Sequence, residues 1–292
     1  IGMWLAQCWL DRGAPDPFRL VELGPGRGTL MADALRAASA VPGFSEAADL
    51  HLVETSPVLR EIQSQTIPPP ITHHDTLATV PDGPLFLVAN EFFDALPMRQ
   101  FQRDANGWRE RVVGVADEGL VLGLADLTSP EFLSNRLEDT TKGDIVEHSA
   151  ATIALAGEIG HRLSEQGGAA LVIDYGDWRS LGDTLQAVRR HERVDPLETP
   201  GSADLTCQVD FEAIARAAHP ARHSRLTPQG VFLERLGVTG RANALVAGRG
   251  DKTLAAISAA HRRLTHPDEM GTLFKAMALY RQDDPLPPGF QA

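Results

Sequence analysis

The first half of the chain alternates short, near-continuous apolar runs with segments whose apolar residues recur at helical spacing. This is the pattern of βαβ units that build a mostly parallel sheet. Five runs predict strands: Phe18–Leu23 (FRLVEL), Leu50–Glu54 (LHLVE), Pro84–Ala89 (PLFLVA), Ala169–Asp174 (AALVID) and Asn243–Ala247 (NALVA). Their Val, Leu and Ile continue without polar alternation, as in strands covered on both faces by helices. A further strand is expected within Ile71–Thr76 (ITHHDT), ending near Asp75. Ile1–Leu10 (IGMWLAQCWL) reads as a buried helix. Ser56-Pro57 reads as an N-cap followed by proline at the first helical position, and Ser149 as the cap of a helix with Ile153, Ala156, Ile159 and Leu163 on one face, stopped by Gly167-Gly168.

The middle of the chain changes period. Between Arg99 and Asp126, turn signals at Asn106-Gly107 and Glu118-Gly119 separate short alternating runs, which predicts a small antiparallel insertion. Residues 175–210 hold few periodic apolar positions but several Gly, Pro and Asp, the composition of a long functional loop region. The tail from Asp283, with Pro285, Pro287 and Pro288, reads as an extended surface segment. The expected organisation is therefore a cofactor-binding half over 1–98, a β insertion over 99–127, the remainder of the same domain over 128–282 and a tail over 283–292.

Composition narrows the partners. The 292 residues carry 27 Lys and Arg against 39 Asp and Glu, a net charge of −12. That is the wrong sign for a protein that lives on phosphate backbones or anionic lipid, so nucleic acid is not expected and a basic partner is. No apolar run approaches the roughly 18–20 residues of a membrane helix, so no membrane insertion is expected. Cys8 and Cys207 lack CxxC spacing, which indicates neither a disulfide framework nor a cysteine zinc site. The chain opens on Ile1 without a charged n-region or an A-x-A site, and sequence upstream of it is expected to be missing.

The most informative stretch is Val21-Glu22-Leu23-Gly24-Pro25-Gly26-Arg27-Gly28-Thr29, a strand running into a glycine turn and then a helix. Glycines there let the backbone turn sharply and let a ligand approach main-chain N–H groups. The dinucleotide fingerprint would place its third small residue at position 29, which is Thr; the observed spacing is E-x-G-x-G-x-G. This favours a cofactor whose cation replaces a pyrophosphate, S-adenosyl-L-methionine, with Glu22 just ahead of the turn. Glu54, closing the second strand, suits the two ribose hydroxyls. Asp75, with Thr76 beside it, stands where a third strand would end and suits an adenine amino group. Singly, Glu54 or Asp75 is more readily a helix-capping or solvated carboxylate; it is the joint pattern at three successive strand ends that points to the cofactor.

After the fourth strand comes Asn90-Glu91-Phe92-Phe93-Asp94, beside the expected ligand cleft. Two carboxylates flanked by Asn90 and a pair of phenylalanines form a half-buried acidic pocket suited to a cationic guest. For Asp94 alone, a loop-capping role competes on equal terms. Other signals fail: the 248–253 stretch (GRGDKT) has Val246 where a phosphate loop needs its first glycine, and the pairs His73-His74 and His219/His223 lack metal-ligand companions. No G-x-S-x-G elbow is present.

These residues resemble the MidA-like methyltransferase family, whose eukaryotic members are mitochondrial complex I assembly factors. The resemblance is carried by VELGPGRGTLMADALR (21–36), HLVETSP (51–57), NEFFDALPMRQF (90–101), GWRERVV (107–113), LVIDYG (171–176), DTLQAVRRH (183–191), QGVFLERLG (229–237) and MGTLFKAMAL (270–279), in order over nearly the whole chain. It implies an α/β, Rossmann-like class I methyltransferase fold: a mostly parallel seven-stranded sheet, helices on both faces and a small antiparallel β insertion. It also implies dimethylation of an arginine on a respiratory complex I subunit, in a bacterial cytoplasm or a mitochondrial matrix. By the same resemblance Gly24, Gly26, Glu54 and Asp75 fall on cofactor positions, joined by Glu22, Gly28 and Thr76 from the reading of the residues. Asn90, Glu91 and Asp94 fall on the acceptor loop, Glu91 as the leading catalytic candidate. The rival reading is an assembly factor that keeps the fold for protein binding alone. Two departures stand out: an upstream block that covers the active site in the family is absent, and the block at 203–211 has Cys207-Gln208 at its centre. No chemical role is assigned to Cys207.

Overall fold

The computed structural model describes residues 1–68, 70–117, 119–190 and 192–291. Its first elements are α1 (Gly2–Asp11), β1 (Phe18–Leu23), α2 (Thr29–Ala38), the one-turn α3 (Phe44–Ala47), β2 (Ala48–Val53), α4 (Pro57–Thr66), β3 (Thr72–His74) and β4 (Leu85–Asn90). An antiparallel group follows, β5 (Arg99–Asp104), β6 (Gly107–Ala116), β7 (Gly119–Thr128) and β8 (Ile145–His148), then α5 (Ala150–Gln166) and β9 (Gly168–Asp177). Short strands come next: β10 (Gln186–Arg189), β11 (Glu192–Val194), β12 (Asp204–Thr206) and β13 (Val209–Asp210). The chain closes with α6 (Phe211–Ala217), β14 (Arg222–His223), β15 (Thr227–Pro228), α7 (Gln229–Arg235), α8 (Val238–Val246), α9 (Asp251–Thr265) and β16 (Phe274–Tyr280).

Among the described residues the central sheet has nine strands. Seven form the path β14-β16-β9-β4-β1-β2-β3, with β13 added on β9 and β15 on β16. β3, β2, β1, β4 and β9 are parallel, and β16 runs antiparallel to β9. Leu23 pairs with Val53 on one side and Ala89 on the other, and Asn90 with Ile173, so the carboxyl ends line up along one edge. That edge is where an open α/β sheet binds its ligand. The α/β class I methyltransferase architecture expected from the sequence is the one found.

The uninterrupted apolar runs make sense in this sheet. Phe18 and Leu20 of β1 pack into a core with α1, α2 and α7, whereas Val21 and Leu23 pack into a second core against α5 and α6. Each such buried side chain contributes about 1.5–3 kcal/mol of transfer free energy. The predicted helix stops and starts are in place: Ser56 Oγ accepts from Leu59 N–H, Ser149 Oγ accepts from Thr152 N–H, and Gly167 ends α5 with φ 77°.

Four expectations change. Asn243–Ala247 lies in α8, not in a strand; an apolar run of five is compatible with either element, and Gly237 at φ 83° starts a helix here with no buried residue. The strand at that end of the sheet is β16, whose Lys275 and repeated Ala mask its buried character in sequence. The insertion continues through Thr128 and gains β8, making the four-stranded order β7-β6-β5-β8. Its turn at Asn106-Gly107 is found, whereas Glu118 of the second turn lies outside the described residues. Residues 175–210 are not a bare loop, because β11-β10-β12 form a small sheet there. The tail is anchored to the core: Phe290 stacks on Phe232 with ring centroids 4.7 Å apart, and Trp4 Nε1 donates to Pro288 O at 3.0 Å.

Candidate active site

The glycine turn follows β1 directly. Gly24, Gly26 and Gly28 have φ of 57°, 53° and 78°, left-handed values that other residues reach only at a cost. Their surroundings differ. A Cβ on Gly24 would come within 2.6 Å of Phe92 and one on Gly28 within 2.9 Å of Ile67, so these two allow close packing, whereas Gly26 faces open space. Glu22 is 3% exposed and shares the face of β1 that carries Phe18 and Leu20. Its Oε2 is buried with no partner among the described residues. Burial pushes the Glu22 carboxyl up to about 8.

At the end of β2, half-buried Glu54 accepts from Ser56 N–H at 2.8 Å and from Gln63 Nε2 at 3.4 Å. Arg60 joins this strand end to the next: its Nε donates to Glu54 O and its Nη2 to Asp75 Oδ1, both at 2.6 Å. Asp75 and Thr76, just past β3, are exposed. Thr76 O accepts from Thr79, opening a short turn, and no side-chain contact ties it to the other candidates among the described residues. The structure thus brings Glu22, the glycine turn, Glu54 and Asp75 onto neighbouring strand ends and leaves Thr76 at the margin.

A family model for S-adenosyl-L-methionine-dependent methyltransferases matches residues 1–229. The chain belongs to this family. It is 34% identical over 314 residues to the Drosophila melanogaster mitochondrial protein arginine methyltransferase NDUFAF7 homolog, covering 96% of the chain and 71% of that protein. It is 35% identical to the Rattus norvegicus protein arginine methyltransferase NDUFAF7, covering 96% of the chain and 70% of that protein. A Burkholderia thailandensis crystal structure bound to S-adenosyl-homocysteine is 25% identical, with a TM-score of 0.85 over 100% of this chain and 79% of that one.

The methyltransferase uses S-adenosyl-L-methionine, and the residues present fit it. Gly26 leaves the backbone open to a ligand, and the orphaned Glu22 Oε2 belongs to a buried carboxyl that, once ionised, has the sign a sulfonium or ammonium needs.

The loop after β4 is clamped by a residue that the sequence did not single out. Asp174, fully buried in the carboxyl-terminal half of β9, accepts at Oδ2 from the backbone N–H groups of Phe92, Phe93 and Asp94 at 3.2, 3.0 and 3.2 Å. Its Oδ1 accepts from Tyr175 N–H. Exposed Glu91 sits at φ 50°, and its N–H donates to Ile173 O. Asn90 Nδ2 donates to Glu91 Oε1 at 3.4 Å. Asp94 is 6% exposed with Oδ1 unpartnered; burial, then the Glu91 charge, raises its proton affinity above that of an ordinary carboxylate. Among the described residues no Arg, Lys or His pairs with Glu22, Glu91, Asp94 or Asp174. Cys207 packs under this loop, its backbone N–H donating to Asp94 O at 3.0 Å, and burial pushes its thiol up to about 12, which disfavours the thiolate.

A cavity of about 340 Å³, lined by Phe93, Arg136, His148, Ser180, Cys207 and Glu212 among others, adjoins the loop through Phe93, and none of Glu22, Glu54, Asp75, Glu91, Asp94 and Asp174 lines it. The sequence signal for Asp174 was present in LVIDYG, an acid ending an apolar strand as Glu22 and Glu54 nearly do. No described helix is long and apolar enough to cross a membrane.

Proposed function

We propose that this methyltransferase modifies an arginine in a basic segment of a respiratory complex I subunit, in the bacterial cytoplasm or the mitochondrial matrix according to its source. The observation that carries this reading is the acid pair after β4: Glu91 exposed, Asp94 buried with Oδ1 unpartnered, and neither neutralised by a basic side chain among the described residues. That arrangement suits a guest that brings its own positive charge. The chain's net charge of −12 and the names of its relatives support the same class of acceptor.

Bound S-adenosyl-L-methionine supplies a methyl group on a sulfonium for in-line displacement. The protein's work is alignment and electrostatics. Arginine stays protonated in proteins, with a pKa above about 12. Glu91 takes two guanidinium N–H groups in a fork, which leaves the third nitrogen facing the donor. Asp94, whose proton affinity burial has raised, takes the proton which that nitrogen gives up as the methyl arrives. Asn90 holds the Glu91 carboxylate in place. Incubation with labelled cofactor and a recombinant complex I subunit, followed by peptide mass spectrometry, tests the proposal: methylarginine is expected, and label on another residue type refutes it.

A further inference from the structure

Gln63 is fully buried in α4, whereas its apolar neighbours Leu59 and Ile62 are only half-buried. Burying a primary amide is costly unless its donors and acceptor are all used. Here they are. Gln63 Nε2 donates to Gly26 O at 2.7 Å and to Glu54 Oε2 at 3.4 Å, and Gln63 Oε1 lies 2.9 Å from His73 Nε2. Because the amide nitrogen faces two acceptors, the amide oxygen must accept, which assigns the proton of the His73 ring to Nε2. The Gln63 stem also packs 3.4 Å from where a Cβ of Gly28 would stand.

We infer that Gln63, oriented by His73, is a positioning residue that locks the Glu54 carboxylate to the glycine turn and so sets recognition of the cofactor's ribose. This rests on the reading that Glu54 accepts the ribose hydroxyls. Without the amide, Glu54 Oε2 loses its protein donor and the turn loses its link to α4. Glu54 Oε1 stays on Ser56 N–H, but the second oxygen is free to rotate away from the ribose edge. His73 contributes at one remove, by fixing which end of the amide faces the acids. The sequence singled out neither role: Gln63 carries no motif, and His73 reads as half of a histidine pair without metal companions.

The test is calorimetric binding of S-adenosyl-homocysteine and its 2′,3′-dideoxy analogue to wild type, Glu54→Ala, Gln63→Met, His73→Phe and His73→Gln. Wild type should prefer the hydroxylated ligand by tenfold or more, the loss expected for hydrogen bonds to a charged group. Glu54→Ala should abolish that preference. Gln63→Met should cut it to a few-fold while leaving affinity for the dideoxy analogue within about twofold of wild type, a separation that general destabilisation of the site does not produce. His73→Phe should lose part of the preference, and His73→Gln, which keeps an N–H donor, should retain it. A preference lost in Glu54→Ala but intact in Gln63→Met and His73→Phe overturns the inference and leaves the ribose reading standing. A preference unchanged in Glu54→Ala overturns the ribose reading and the inference with it. If Gln63→Met fails to fold, the two His73 variants at their half-buried strand position decide the question by the same ratios.

Discussion

Asp174 Oδ2 accepts the backbone N–H of Phe93 at 3.0 Å, and the flanking N–H groups of Phe92 and Asp94 converge on the same oxygen. One carboxylate on β9 thereby fixes the loop that presents Glu91 and Asp94. Asp174→Ala leaves four N–H groups without this acceptor, those of Phe93 and Asp94 in buried bonds, at about 1–3 kcal/mol for each buried one. The expected result is a thermal midpoint lower by several degrees together with loss of methyl transfer, measured by calorimetry and a labelled-methyl assay. A variant with normal stability and turnover would show that the loop is held by other contacts.

Glu91 carries a left-handed backbone, φ 50°, without being glycine, which costs roughly 1–2 kcal/mol. Glu91→Gly relieves that strain and is predicted to leave the melting temperature equal or higher while methyl transfer collapses. Glu91→Gln keeps the shape and removes the charge, with the same loss of turnover and unchanged cofactor affinity. If Glu91→Gln is fully active, Glu91 has no part in the chemistry.

Glu22 predicts a pH dependence. Its carboxyl, ordinarily near 4.5, is pushed up to about 8 by burial, so its contribution to folding stability is complete below 4.5 and lost as pH rises to 8. On the proposal that Glu22 faces the cationic cofactor, affinity runs the other way, because the ionised carboxylate is then the binding form. Between pH 6 and 8, S-adenosyl-L-methionine affinity should rise, by at most tenfold per pH unit, with release of a proton measurable in buffers of different ionisation enthalpy. Glu22→Gln should flatten the profile. A profile equally steep in that variant would assign the titration to another group.

The glycines separate by what their side chains would meet. Gly26→Ala should lower stability only by the left-handed strain, about 1–2 kcal/mol, yet lower cofactor affinity, since its Cβ would enter the space left open to a ligand. Gly28→Ala should act mainly on stability, because its Cβ would stand 2.9 Å from Ile67. Denaturation midpoints and cofactor titrations on both variants check the contrast.

The parallel sheet and the glycine turn were legible because both are local: a run of Val and Leu, then glycines at fixed offsets, report on a strand and on φ without any knowledge of the rest of the chain. Asn243–Ala247 misled because five apolar residues fit either period, and β16 was hidden by Lys275, whose ammonium reaches out to the carbonyl oxygens of Gly176 and Thr272. Asp174 and Gln63 act on groups 82 to 80 and 37 positions away in sequence, contacts that no spacing rule encodes. Asp75 was placed at the correct strand end, but its partner Arg60 comes from the intervening helix, and only the folded chain shows that the two meet. The tail's prolines gave no sign that Phe290 would return to the core.

Methyl transfer to arginine through the acid pair after β4 is open to a direct test. The direct measurement is transfer of labelled methyl from S-adenosyl-L-methionine to a complex I subunit with a basic segment, comparing wild type with Glu91→Gln and Asp94→Asn, with site mapping by mass spectrometry. The account predicts methylarginine with wild type, a loss of about a hundredfold or more in each variant and S-adenosyl-homocysteine affinity unchanged across all three. Stable binding of the subunit by wild type with no methyl transfer, or variants as active as wild type, would contradict it.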